Sequence, residues 1–200
     1  RELFLRWNPS TTMKCAIFEE NGNRHDMQRV LGHVTLQNAV RRMGDFVLTS
    51  CAANALQPYR QNDNGWDQGQ VFFTPSQVWG MPPYYAQQMA AAHHRPLTVG
   101  CGVEGADGVL DVTATRSREA GSVVLHIANT GAEPLRVGLR VDGMGKVSQA
   151  RMVSLSGDLD AVNTPEEPRR IAPVGRELPA WAAQTVDIAP YSYTIVVLDE

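Results

Sequence analysis

The sequence predicts a mainly β protein: a C-terminal antiparallel β-sandwich, jelly-roll-like, preceded by an α/β segment. Three observations carry this. The first half alternates short apolar runs with helical patterns, the order expected of a parallel sheet with crossover helices. The second half has β-rich runs at regular intervals, separated by Gly and Pro. The change from one pattern to the other falls at His93–Pro96, which divides the chain into residues 1–94 and 95–200.

The chain opens on Arg1 and runs straight into a strand-like stretch. It therefore reads as a fragment, a processed product or a truncated frame. Any targeting peptide would lie upstream, so secreted, periplasmic and cytoplasmic locations all stay open. Residues 14–18 (KCAIF) are a short apolar run suited to a buried parallel strand. Over residues 26–43, Met27, Val30, Leu31, Val34 and Val40 fall near helical spacing. Arg41, Arg42 and then Gly44 are stop signals for that helix. Residues 46–51 (FVLTSC) read as a second buried strand, and 57–70 as a polar loop. VFFT and a Pro-interrupted stretch lead to a helix at 84–92.

Strands are expected at 109–117, 122–130, 135–143, 146–157, 183–190 and 193–200. Period-two alternation is clear where Val124, His126 and Ala128 oppose Val123, Leu125 and Ile127. Residues 158–182 are Pro-rich and without pattern, and read as a long surface loop. GCGVEG (100–105) lacks a following helix and reads as a turn between sandwich strands, not a phosphate loop.

Composition narrows the function classes. The 200 residues carry a net charge of −3 and are 43% hydrophobic. The longest Lys/Arg runs are the pairs Arg41–Arg42 and Arg169–Arg170, so nucleic acid is not an expected partner. The apolar stretches are too short to cross a bilayer, so no membrane partner is expected. Cys15, Cys51 and Cys101 sit in apolar neighbourhoods without CxxC spacing, and are expected as buried free thiols.

Two stretches are more specific than a fold pattern. They are residues 16–33, AIFEENGNRHDMQRVLGH, and residues 46–90, FVLTSCAANALQPYRQNDNGWDQGQVFFTPSQVWGMPPYYAQQMA. Together they resemble the end of the catalytic (β/α)8 barrel of the glycoside hydrolase family 51 α-L-arabinofuranosidases. The resemblance implies that residues 1–94 hold the last two strand–helix units of such a barrel. It also implies that Glu19, at the end of Ile17–Phe18, is the nucleophile of a retaining mechanism. Glu20 falls where the family often carries an aromatic residue, and is expected as a salt-bridged or rim residue. The family's acid/base Glu follows an Asn on an earlier strand, and no Asn-Glu pair occurs in this sequence. The fold is therefore expected to be completed by a missing N-terminal barrel chain, separate or cleaved but associated, or by a homo-oligomer, unless the N-terminal half packs differently on the sandwich. No cofactor is implied, because two carboxyl groups suffice for the reaction.

The residues support this reading on their own terms. A carboxylate directly after an apolar parallel strand sits at the face where barrels keep their active sites. Retaining glycosidases need two carboxyl groups roughly 5 Å apart. Adjacent residues of an extended chain point to opposite faces, so Glu19 and Glu20 cannot be that pair.

Four further residues are candidates for substrate contact. Asn21 lies on the same side of the chain as Glu19; Asn54 follows the second strand, where the resemblance implies a polar contact to the bound arabinose, and Gln57 is the neighbouring candidate. Trp66 is placed to stack on a sugar ring, with Trp79, Tyr84 and Tyr85 as weaker candidates against a packing role. His25, His33, His93 and His94 show no metal-ligand spacing, and no GxSxG occurs. The expected activity is retaining hydrolysis of α-L-arabinofuranosyl linkages in plant cell-wall polysaccharide such as arabinoxylan or arabinan. Endo-β-glucanase-type activity and a non-catalytic carbohydrate-binding sandwich are the alternatives. A small glycosidase using Glu104, Asp107, Asp111 or Asp142 is a further one, although no spacing singles out a pair.

Overall fold

The structure, a computed structural model, describes residues 1–62, 65–106, 108–119, 121–179 and 185–200. The opening stretch is not a strand but a short helix, α1 (Glu2–Trp7). It holds no helix breaker, and Glu2 and Arg6 stand at the ends where each suits the helix dipole. Next come β1 (Cys15–Glu20), α2 (Met27–Arg42), a 3-10 turn at Gly44–Phe46 and β2 (Val47–Ala52). β1 and β2 pair in parallel, so these elements form a βαβ unit. Asp26 caps α2 by accepting from the Arg29 amide at 3.1 Å.

The stretch read as a loop at 57–70 contributes part of a small sheet. β3 (Leu56–Pro58) pairs with β4 (Val71–Phe73), and β4 with β5 (Val78–Gly80). Helix α3 (Pro82–Ala92) starts at Pro82 rather than Tyr84, because proline is tolerated in the first helical turn.

The remaining strands build the sandwich: β6 (Leu97–Val99), β7 (Leu110–Arg116), β8 (Ser122–Asn129), β9 (Leu135–Gly138), β10 (Gln149–Ser156), β11 (Val174–Glu177), β12 (Thr185–Ile188) and β13 (Ser192–Asp199). Six of them form an antiparallel sheet in the order β11-β10-β13-β8-β7-β6, and β12 pairs with β9. The six-stranded sheet is covered on both faces. Val124, Ala128, Tyr193, Ile195 and Val197 pack against Met27, Val30 and Val34 of α2 and Tyr85, Ala86 and Met89 of α3. Leu125, Ile127, Val196 and Leu198 face the other way, towards Val186 and Ile188 of β12. Double coverage explains why β13 reads as a continuous apolar run, YTIVVL, rather than an alternating one. The change of pattern between Ala92 and Leu97 is thus not a gap in packing, since residues on either side share one core.

Several expectations need correction. Residues 158–182 are not a surface loop throughout. Ala161, Asn163 and Ile171 are buried, and β11 forms the sheet edge against β10. Asn163 fastens this segment, donating to the carbonyls of Gly80 and Ile171 and accepting from the Ile171 amide at 2.7 Å. The thiols are unpaired but not buried: Cys15 is half-buried, and Cys51 and Cys101 are exposed. Cys51 lies on β2, whose open face no described residue covers. Two expected strands are also shorter in the structure, β9 ending at Gly138 and β10 spanning 149–156. Residues 183 and 184 of a third lie outside the described residues. No described helix is long and apolar enough to cross a membrane.

Candidate active site

The site begins at the carboxyl end of β1. Ile17 pairs with Ser50 and Glu20 with Ala52, so Phe18 and Glu19 together oppose the single residue Cys51. That is a β-bulge, a device that re-aims side chains. Phe18, 78% exposed, and Glu19 are turned to the open face, while Glu20 is only 6% exposed and faces α2. Alternation alone would have set Phe18 and Glu20 on one side. The extra residue places them on opposite sides.

Glu20 is held tightly. One carboxylate oxygen meets Nδ1 of His33, and the other accepts from the Ser50 hydroxyl at 2.8 Å. Burial pushes the Glu20 carboxyl up, but His33, Ser50 and Arg29 together outweigh burial and hold it below the usual range. Glu20, expected as a salt-bridged or rim residue, is instead a buried carboxylate held by hydrogen bonds to His33 and Ser50, with the Arg29 charge nearby. Arg29 donates from Nε to His33 Nε2 at 2.7 Å. Its remaining N–H groups reach the carbonyls of Gly22 (2.6 Å), Arg24 (2.9 Å), Gln68 (2.7 Å) and Ala53. Burial lowers the Arg29 pKa, and the nearby Glu20 and Asp26 charges partly restore it.

The loops after β1 and β2 meet above this group. Asn21 accepts from the Gln68 side chain at 2.9 Å, and Asn23 accepts from the Asp67 amide at 3.1 Å. His25 stands 3.1 Å from the Asp67 carboxylate, with its ring against Phe72. Gln57 is buried and its amide is fully used. Its oxygen accepts from the amides of Gln68 and Gly69, and its nitrogen donates to the Gln61 carbonyl and Asp67. Gly69 is required there, because a Cβ would lie 2.5 Å from that of Gln57. Asn54 donates to the Leu56 carbonyl at 3.0 Å, but its oxygen is buried with no hydrogen-bond partner among the described residues. Gln70, whose amide donates to the Asn54 carbonyl, has both side-chain polar atoms buried and unpartnered. Buried polar atoms left unsatisfied are uncommon and call for a partner. Trp66 is 50% exposed on the same loop.

The chain matches the family model "α-L-arabinofuranosidase C-terminal domain" over residues 9–192. It belongs to that family. Among solved structures, an arabinose-bound GH51 α-L-arabinofuranosidase, MgGH51, is similar at TM-score 0.80 and 21% identity, covering 88% of this chain and 28% of that one. The GH51 arabinofuranosidase of Thermotoga petrophila RKU-1 gives 0.80 at 18% identity, covering 93% and 43%. That of Xanthomonas axonopodis pv. citri gives 0.74 at 12%, covering 99% and 43%. At such identities the likeness is one of fold. This family member spans less than half the length of these solved relatives. No curated protein matches the sequence.

The other residues singled out in this family member fall elsewhere. Trp79 and Tyr85 are buried in the core, and Tyr84 packs edge-on against Tyr85, so all three serve packing. His93 bonds the Met89 carbonyl at the end of α3. Among the described residues no group of His, Cys, Asp and Glu could hold a metal. Asp111 is tied to Arg42 at 2.6 Å, Asp142 lies 3.5 Å from Arg140, Glu104 is exposed, and Asp107 is outside the described residues. Sequence reasoning missed Arg29, Gln68 and Gln70. A signal for the first was present: Arg29 and His33 are polar residues one turn apart, set among the apolar positions Val30, Leu31 and Val34.

Proposed function

We propose that this chain carries the nucleophile of a retaining α-L-arabinofuranosidase, with Glu19 attacking the anomeric carbon of an α-L-arabinofuranosyl group. The observation that carries this is the bulge in β1. It frees Glu19 towards the open face of a parallel strand pair while Glu20 is locked against α2. A carboxylate at the carboxyl end of a parallel strand stands where such barrels do their chemistry. The solved relatives are named as arabinofuranosidases, and two are named as arabinose-bound forms.

In this reading Glu19 forms a covalent glycosyl intermediate, which water then hydrolyses with retention. A second carboxylic acid protonates the leaving oxygen, then acts as base. It comes from barrel strands outside these residues, in the same polypeptide or in an associated chain, and those strands also cover the β1–β2 face. The unpartnered amide atoms of Asn54 and Gln70 bond the sugar hydroxyls, and Trp66 offers a ring for the polymer chain. Gln57 and Asn21 order the loop. The substrates are arabinofuranosyl side chains of arabinoxylan or arabinan.

The test is hydrolysis of aryl α-L-arabinofuranoside, arabinoxylan and β-glucan by the full-length protein, beside Glu19→Gln. Removing a nucleophile should lower kcat by a factor on the order of 10⁴ or more. Full activity in Glu19→Gln, or a preference for β-glucan, would refute the reading.

A further inference from the structure

Arg29 and His33 stand one turn apart on the face of α2 turned to β1 and β2, away from the six-stranded sheet. Arg29 is 5% exposed, yet none of its side-chain N–H groups bonds a carboxylate among the described residues. They go to one imidazole and to carbonyls on three separate segments. Gly22 and Arg24 follow Glu19 at the end of β1. Ala53 precedes Asn54, and Gln68 lies two residues before Gln70. Each loop that bears a group assigned to the sugar is thus fastened to one guanidinium.

His33 transmits the same constraint to β1. An arginine Nε can only donate, so His33 Nε2 accepts and the ring proton sits on Nδ1. That Nδ1–H faces the Glu20 carboxylate, whose other oxygen takes the Ser50 hydroxyl. A partner that fixes the tautomer also fixes the ring's orientation. With Glu20 held on one side of the bulge, the direction of Glu19 on the other side is set.

We propose that Arg29, acting with His33, is a positioning residue that aligns Glu19 with the amide groups of Asn54 and Gln70 without touching the substrate. The inference rests on the glycosidase reading above. Arginine suits this role and lysine does not. A planar fork of five donors serves acceptors in several directions, whereas an ammonium is a compact point charge on a flexible stem.

The test is steady-state kinetics of the full-length protein on 4-nitrophenyl α-L-arabinofuranoside, with Arg29→Lys, His33→Leu, His33→Gln and the Glu19→Gln control, each checked for folding by its melting curve. A displacement of about 1 Å at a reacting group costs on the order of 10²-fold in rate. His33→Leu should lower kcat by about that factor with KM within about twofold, since it loosens only the nucleophile's strand. Arg29→Lys should lower kcat similarly and raise KM by about tenfold, since it also loosens the loops of Asn54 and Gln70. His33→Gln, which can still accept from Arg29 and donate to Glu20, should recover kcat to within about threefold of wild type. If His33→Leu does not fold, Arg29→Lys and His33→Gln decide. A lower melting temperature with wild-type kcat and KM in Arg29→Lys would reduce Arg29 to a structural role and overturn the proposal while leaving the glycosidase reading intact. An inactive wild type, or an active Glu19→Gln, would remove both.

Discussion

His126 shows how burial, helped by nearby cations, sets the charge of one residue. Its ring is wholly buried, with Nδ1 2.8 Å from the Tyr193 hydroxyl. Burial first, then Arg41, His93 and His94, push its pKa down from 6.5 to about 2. Burial likewise pushes the Tyr193 hydroxyl up to about 12, against the opposing pull of Arg41. The unfolded chain takes up a proton on His126 near pH 6.5, which the folded chain refuses until about 2. Stability from the neutral ring is therefore full above pH 6.5 and falls away below it, at about 1.4 kcal/mol per pH unit. His126→Gln should flatten the decline of unfolding free energy between about pH 6 and 3, measured by urea titration; an unchanged slope would contradict this. Glu20 has a depressed folded pKa, so its contribution is present above its ordinary value of 4.5 and is lost as pH falls through the folded value. Glu20→Gln should cost about 1.5–3 kcal/mol at pH 7, with the difference narrowing in acid.

At the scale of elements, α2 has two jobs on two faces. Met27, Val30 and Val34 join it to the sandwich, and Arg29 and His33 join it to β1 and to the loops after β1 and β2. Met27→Ala should destabilise by about 2–5 kcal/mol through the cavity it leaves. Asn163→Ala removes three hydrogen bonds from the 158–173 segment, and should speed hydrogen exchange at the Ile171 amide. These elements differ in how legible they were. The helix α2, β13 and the positions of the parallel strands follow from local hydrophobic pattern, but the burial expected of β1 and β2 does not hold, since Phe18 is 78% and Leu48 69% exposed. The bulge at Phe18–Glu19 does not, because two residues opposing one is a property of the pairing with β2. The burial of Ala161 and Ile171 was hidden for a similar reason: the segment is held by one asparagine side chain, not by periodicity. That carboxylates end β1 was readable from their place after an apolar run; the choice of Glu19 over Glu20 came from the family resemblance. The polar group behind Glu19 required residues distant in sequence, such as Ala53 and Gln68, to be seen together.

The whole molecule has one face that the described residues leave open. Phe18 is 78% exposed and Leu48 69% exposed, both on the two-stranded β1–β2 sheet. Exposed apolar strands with unpaired edges attract further strands. The 200-residue chain alone should therefore self-associate, and Phe18→Ser with Leu48→Ser should raise its monomer fraction in sedimentation velocity. Equal monomer fractions would argue that nothing is meant to cover this face. The central claim is that Glu19 attacks the sugar. Its most direct test is to treat the full-length protein with an arabinofuranose-configured epoxide inactivator and locate the covalent adduct by peptide mass spectrometry. The adduct is predicted on the Glu19 carboxylate, at one equivalent per chain; an adduct on Glu20, or on any carboxylate outside the β1 bulge, would contradict the account.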